Sequence, residues 1–420
     1  MTGCAGLVAL GGFLREIGVD RELRERFAAL KCGRGVVYPM PTQLRLLMDA
    51  FAVGEVRPFA LEALASDPLF VHLAGGMVPS IDTVYRDLCR FDGGAVGELE
   101  HMVAKHGLFA LERLRRARSA VVHVDVDTTV TPLFGRHEGA LPGPNPRYHG
   151  RPSYHPILAR VAETGTIVGA QLRPGDCAFG AADVPTIGAW LDRLRDTVGA
   201  NTLVRMRIDA AGDCAELMQA IARRGVHFFI KAHCTRDLLD AVWRTTRWTT
   251  LDRDADGEPS MQAADIDFAR VVWRDAGVRV RVVAVRSKER DTGRQLHLWD
   301  LDDYSVQVFL TNDLDAPLSE LAAIYNGRAG IEPLIAELKG SWGIGEVPSA
   351  TFVANHAALL LKMLVHNLLR RFVAARAPSL SSWRTPWLRR VLLRVPARLV
   401  RHGRSRTLRF AASSPLRLLE

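Results

Sequence analysis

Cysteine pairs are missing from this chain. Its six cysteines (Cys4, Cys32, Cys89, Cys177, Cys214, Cys234) lie far apart, with no C-x-x-C pair. That argues against a disulfide framework or a cysteine zinc site and fits a reducing cytoplasm. No low-complexity tract occurs, and no uninterrupted apolar run is long enough for a membrane span. The longest apolar stretch, FVANHAALLLKMLVHNLL, carries Asn355, His356, Lys362 and His366. It reads as a buried amphipathic helix. The N-terminal MTGCAGLVALGGFL is apolar but lacks the basic leader of a signal peptide. The expectation is a soluble cytoplasmic protein with no membrane partner.

What is present points elsewhere. The 420 residues suffice for two or three domains, and 48% hydrophobic with 24% charged residues is a globular composition. The formal charge of +9 comes mostly from Arg. Guanidinium forks match phosphate, so nucleic acid is the first partner to consider.

Residues 1–115 carry helical patterns. Ser80 is a candidate N-cap with Pro79 as the breaker before it. Helix, GGMVPS turn and second helix fit either a helix-turn-helix outline or a plain helical bundle. From Ala120 the texture becomes β, as in AVVHVDVDTTV, ILARVAETGTIVGAQL, TLVRMRIDAA and VHFFIKAH, with helical segments between. This predicts a mixed α/β layer over 116–239. Residues 240–312 are β-rich again, 313–345 return to helix, and 346–420 read as helical and dense in Arg.

Four polar residues stand out in YNGRAGIEPLIAELK. Tyr325, Arg328, Glu332 and Lys339 fall within about 60° of one another on a helix. Such a stripe suits a polyanion beside a metal better than a core. In HVDVDTT, period two places His123, Asp125 and Asp127 on one strand face and Val122, Val124 and Val126 on the other. A solvated edge is the plain alternative for the acidic face. Asp209 ends the strand LVRMRIDA, and Asp213 offers a cap for the next helix. Three carboxylates converging from two strands and a helix would suit hard divalent cations.

Taken in order, VDVDTT, RIDAAGD and Y-x-x-R-x-x-x-E-x-x-x-x-x-x-K resemble the DDE transposases of bacterial insertion sequences. The likeness is to the branch with a Tyr-Arg-Glu-Lys signature and a β insertion before its catalytic Glu. YHGRPSYHP and HFFIKAH add to it, and it covers most of 120–345. The resemblance implies an α/β, RNase H-like mixed sheet flanked by helices, with its core in 116–239 and 313–345. A β-rich insertion at 240–312, a helical end-recognition region at 1–115 and an Arg-rich helical C-terminal region at 346–420 would complete it. Asp127, Asp209 and Glu332 would be the catalytic triad, holding two Mg²⁺ ions for which Mn²⁺ can substitute. Asp125 shares the strand face and is the alternative ligand. Asp127 is preferred because it directly precedes the Thr pair.

By the same carry-over, Tyr325, Arg328 and Lys339 would contact phosphates of the transposon end. Arg151 in its loop and Lys231 at a strand end are further phosphate contacts or plain surface residues. His155 and His233 read as structural. Trp273, Trp299 and Tyr304 are either core aromatics or holders of a flipped base. Pro333, with Gly327 and Gly330 before it, departs from a smooth helix and predicts a kink or fresh start at Pro333.

The implied activity is metal-dependent excision and integration of an insertion sequence, by hydrolysis and in-line transesterification. Its partners would be double-stranded DNA (terminal inverted repeats and target) and a second copy in a homodimer, acting in the cytoplasm at the nucleoid. A hairpin intermediate is part of the same implication. A domesticated, non-cleaving DNA-binding copy is the alternative. A glycosyltransferase using Asp-Val-Asp as its metal motif is a lesser one.

Overall fold

The computed structural model describes residues 1–116, 120–145, 149–288, 304–403, 405–411 and 414–418. Helices α1 (Leu7–Glu16), α2 (Val19–Phe27), α3 (Met40–Val53), α4 (Ile81–Leu88) and α5 (Gly93–Leu108) dominate the N-terminal region. Ser80 caps α4 as its sequence suggests, its hydroxyl accepting the Thr83 N–H at 3.3 Å. The preceding helix, Pro68–Leu73, stops at Gly75 and Gly76, whose φ of +88° and +97° few other residues tolerate. Phe70 of that helix and Val84 and Leu88 of α4 pack into one core with α3.

The β-rich half begins with β1 (Val121–Thr128), β2 (Ile157–Val161) and β3 (Thr166–Gln171). Then come α6 (Val184–Val198), β4 (Leu203–Ile208), α7 (Ala215–Ala222), β5 (His227–Lys231) and α8 (Arg236–Arg244). Strands β6 (Thr249–Arg253), β7 (Pro259–Ile266), β8 (Arg281–Lys288) and β9 (Tyr304–Thr311) follow. Among the described residues, nine strands form one sheet in the order β3-β2-β1-β4-β5-β9-β8-β7-β6. β1, β4 and β5 run parallel, with antiparallel strands on both sides. The segment 240–312 therefore prolongs the sheet from β5 outward.

Period two decides which side chains meet which layer. Val122, Val124 and Val126 pack under α6 and α7 against Ile187, Leu191, Leu217 and Ile221. On the opposite face, α9 (Leu318–Asn326) covers Phe229, Val283 and Phe309. A 3₁₀ turn (327–330) leads into α10 (Ile331–Trp342). Between these apolar zones the sheet centre carries charge. Asp125 is completely buried, with Arg160 and Arg207 as its register partners on β2 and β4.

Helix α11 (Phe352–Arg376) is long and apolar enough to cross a membrane, but 83% of that stretch is buried inside this fold. It lies on α5 and β3. Asn367, fully buried, closes the outer edge of β3 as a neighbouring strand would. Its Oδ1 accepts the Ile167 N–H at 2.8 Å, and its Nδ2 donates to the carbonyls of Ile167 (2.7 Å) and Val103 (2.9 Å). Asn367→Ala would strand three buried backbone groups at about 1–3 kcal/mol each. The expected loss of stability is about 3 kcal/mol or more, read as a lower urea midpoint.

The C-terminal region departs from the helical expectation for 346–420. Beyond α11 it holds a short helix at Thr385–Leu388 and then a hairpin, β10 (Arg398–His402) with β11 (Ser405–Arg409). Pro396 ends helical propagation, and Gly403 supplies the turn at φ +58°. Part of the Arg density is structural. Arg389 is buried and donates to the carbonyls of Phe51 (2.8 Å) and Ala52 (2.9 Å), and Arg394 donates to that of Val53. Both thereby cap the C-terminal end of α3.

Candidate active site

Parallel pairing places the ends of β1 and β4 side by side, with Val126 opposite Ile208. The next residue on each strand is an aspartate, so Asp127 and Asp209 emerge together. Asp127 Oδ1 accepts the Thr128 N–H at 2.8 Å. Asp209 Oδ1 accepts the Ala211 N–H at 3.0 Å, holding the start of a 3₁₀ turn. In each case the second oxygen is left to face the third element.

That element is the turn from α9 into α10. Arg328 Nη2 donates to Asp127 Oδ2 at 3.1 Å and stands 4.0 Å from Asp209 Oδ2. Its Nη1 stands 3.7 Å from Glu332 Oε1, one helical turn on. Three carboxylates thus surround one guanidinium. The Arg328 side chain is 13% exposed, and its Nε is buried with no hydrogen-bond partner among the described residues. Glu332, in the first turn of α10, is exposed at the rim.

The expected single helical stripe is broken. The chain runs helix, 3₁₀ turn, helix, and restarts at Ile331, two residues before Pro333. Pro333 then sits in the first turn, where the missing N–H has no intrahelical partner to lose.

A cavity of about 450 Å³ opens beside the carboxylates, lined by Asp209, Lys231, Gln307, Tyr325, Arg328 and Glu332 among others. Tyr325 is only 8% exposed, and its ring stacks on Phe309 at 5.2 Å and 4°. Burial pushes its phenol up to about 12, so it stays a neutral hydroxyl donor. Lys231 enters from the end of β5. Lys339 lies farther along α10 and donates to the Val130 carbonyl at 3.2 Å. Arg151 holds its guanidinium 4.9 Å over the exposed ring of Phe134 and does not line this cavity.

Other candidates have ordinary partners. Both oxygens of Asp125 are engaged by arginines, Arg160 at 2.8 Å and Arg207 at 2.5 Å. The Asp-Val-Asp triplet therefore contributes one carboxylate to the Arg328 cluster and one to a buried ion cluster. Asp213 binds Arg270 and does not cap α7, whose N-cap is Cys214. His155 Nδ1 lies 2.8 Å from the Cys177 carbonyl, and the His233 N–H donates to Asp213. Trp273 is buried edge-on to Phe268, and the Tyr304 hydroxyl donates to the Pro259 carbonyl at 2.8 Å. Tyr148 and Trp299 lie outside the described residues. Arg160, alone in the apolar strand ILARV, and Arg207, one of two arginines in LVRMRI, carry a signal in the sequence itself, because an arginine within an apolar strand needs a buried partner.

Among the described residues no three His, Cys, Asp or Glu side chains already stand as a metal-ligand group. The donor chemistry nonetheless suits a hard divalent cation, because the facing groups are carboxylates and one guanidinium leaves two negative charges uncompensated. Burial pushes the Asp127 carboxyl up to about 6. Arg328 and the Thr128 amide hold it down, while Asp209 and Glu332 add to the rise. The cluster is short of positive charge.

Residues 1–419 match the family model for the transposase DDE domain, group 1. The chain belongs to the DDE transposases. This transposase is accordingly a DNA-cleaving, strand-transferring enzyme of a family whose chemistry depends on divalent metal. A cryo-EM structure of piggyBac transposase in a synaptic complex with hairpin DNA is similar at 11% identity and TM-score 0.44. The similarity covers 89% of this chain and 76% of that one. No curated protein sequence matches the transposase.

Proposed function

We propose that this transposase excises and integrates an insertion sequence of the Tyr-Arg-Glu-Lys branch, using Asp127, Asp209 and Glu332 to hold two Mg²⁺ ions. The convergence of these three carboxylates on Arg328, from two strand ends and a helix start, carries the reading. The run β3-β2-β1-β4-β5, antiparallel then parallel, supports an RNase H-like core over 116–239 and 313–345. On this reading 240–312 is the β insertion, 1–115 recognises the ends and 346–420 is the C-terminal region. When bound, such ions (Mn²⁺ can substitute) would activate an attacking hydroxyl and stabilise the leaving 3′-oxygen.

The chain's own groups do the rest. Asp127 is the ligand of its strand because Asp125 has no oxygen to spare. Arg328, leaving the carboxylates, would take a phosphate of the transposon end as a bidentate fork. Tyr325 would donate its hydroxyl to the same backbone, with Lys231 beside it. Lys339 and Arg151 would contact phosphates farther along the duplex. Two ends would be joined by a homodimer acting at the nucleoid.

The test is cleavage of a duplex carrying the terminal inverted repeat and its flank. The expected result is a Mg²⁺-dependent nick that frees a 3′-OH at the element boundary. Binding of the ends with no cleavage in Mg²⁺ or Mn²⁺ would instead identify a non-cleaving DNA-binding copy.

A further inference from the structure

Gly327 and Gly330 interrupt what would otherwise be one helix. Their backbone angles are ordinary and right-handed, φ −59° and −64°, so conformational freedom is not what demands glycine here. Space is. A Cβ on Gly327 would overlap Arg207 Nη1, and one on Gly330 would stand 2.5 Å from Arg160 Nη2.

The tip of an arginine ordinarily swings aside at little cost. These two are pinned. Arg207 is 5% exposed, its Nε donates to Asp125 Oδ1 at 2.5 Å, and its Nη1 donates to the Ile324 carbonyl at 3.0 Å near the end of α9. Arg160 places both Nε and Nη2 at 2.8 Å from Asp125 Oδ2. Moving either guanidinium breaks charge-assisted bonds around a carboxylate that is 0% exposed, where an unpaired charge is costly. The 3₁₀ turn therefore rests on two fixed guanidinium groups.

We propose that Asp125, Arg160 and Arg207 are positioning residues that seat the 327–330 turn against the sheet, and so set where Arg328 and Glu332 stand relative to Asp127 and Asp209. This rests on the active-site reading above. The two aspartates arrive from rigid strand ends, whereas Arg328 and Glu332 arrive from a helix that must be docked in register. The buried triad is the dock, and the glycines are the flat places that let the backbone sit on it.

The test measures single-turnover cleavage, affinity for end DNA and melting temperature for Gly327→Ala, Gly330→Ala, Arg207→Lys, Arg160→Lys and the pairs Gly327→Ala/Arg207→Lys and Gly330→Ala/Arg160→Lys. Each alanine is expected to slow cleavage by about 100-fold, the scale of an ångström-sized misplacement. DNA affinity should move little, while melting temperature should fall as the displaced guanidinium loses bonds to Asp125, so cleavage is measured at a temperature where every variant is fully folded. Lysine lacks the forked head, so each pair should recover about tenfold over its alanine parent. Wild-type rates in both alanine variants would overturn the proposal. So would losses that match the fraction unfolded at the assay temperature, or pairs whose losses merely add. Asp127→Asn in the same assay keeps the two readings apart. If it cleaves normally the active-site reading falls, whereas an inactive Asp127→Asn beside fully active alanine variants refutes the positioning role alone.

Discussion

Asp127→Asn is expected to lower Mg²⁺-dependent cleavage by at least about 10²–10³-fold, the usual consequence of removing one preorganised charge from a reaction centre. Asparagine keeps the size of the side chain and an oxygen able to accept the Thr128 N–H. It loses the negative charge and turns one oxygen into a donor aimed at Arg328. Asp209→Asn should behave alike, since its remaining oxygen can still accept the Ala211 N–H. Glu332→Gln, at an exposed rim position, has the least structural consequence of the three. Each change removes a negative charge from a surface that must approach a polyanion, so affinity for end DNA should hold steady or rise. Single-turnover nicking and a binding titration on the same preparation separate the two quantities. A variant that nicks at the wild-type rate would remove its residue from the triad. A variant that loses cleavage and binding together would show that its residue holds DNA.

Much of this arrangement is legible from local pattern, because strand alternation and strand ends are local properties. The valines of β1 mark its covered face, and Asp209 at a strand end marks a place where side chains leave the sheet. Pattern fails where a side chain's fate depends on a distant strand. Period two gives Asp125 and Asp127 the same face. What separates them is Arg160 and Arg207, 35 and 82 residues away, which arrive beside Asp125 only once the sheet has its register. The stripe of Tyr325, Arg328, Glu332 and Lys339 assumed one continuous helix. Gly327, Gly330 and Pro333 announce a break within the segment, but its place, two residues before Pro333, comes from a backbone resting on arginines of other strands. The tail shows the same dependence on distant partners. Its arginines count as surface charge in a sequence, yet Arg389 serves carbonyls more than 330 residues earlier in the chain.

Arg328→Ala is expected to move two measurements in opposite directions. In the protein free of DNA, the guanidinium is paired with all three carboxylates and competes with any metal for them. Unit charges about 4 Å apart interact by roughly 1 kcal/mol in water and about 4 kcal/mol near a protein surface. A divalent cation meets twice that repulsion, so removing Arg328 should tighten Mn²⁺ binding by about tenfold or more at pH 8. Calorimetric titration of the DNA-free protein, or the fall in free Mn²⁺ signal by electron paramagnetic resonance, reads this without reference to activity. Cleavage should fall by about 10²-fold, because the fork that would grip the scissile region's phosphates is gone. Arg328→Lys keeps a charge but not the fork. It should leave Mn²⁺ affinity near that of the parent while still losing most of the cleavage rate. If Arg328→Ala weakens Mn²⁺ binding instead, the guanidinium would be a support for the metal site, and the carboxylates would need it to stay together. If metal affinity tightens while cleavage is untouched, Arg328 would be a counter-ion for the resting protein with no part in holding DNA. Tighter metal and slower cleavage together would mean that the same side chain guards the carboxylates until the transposon end draws it away.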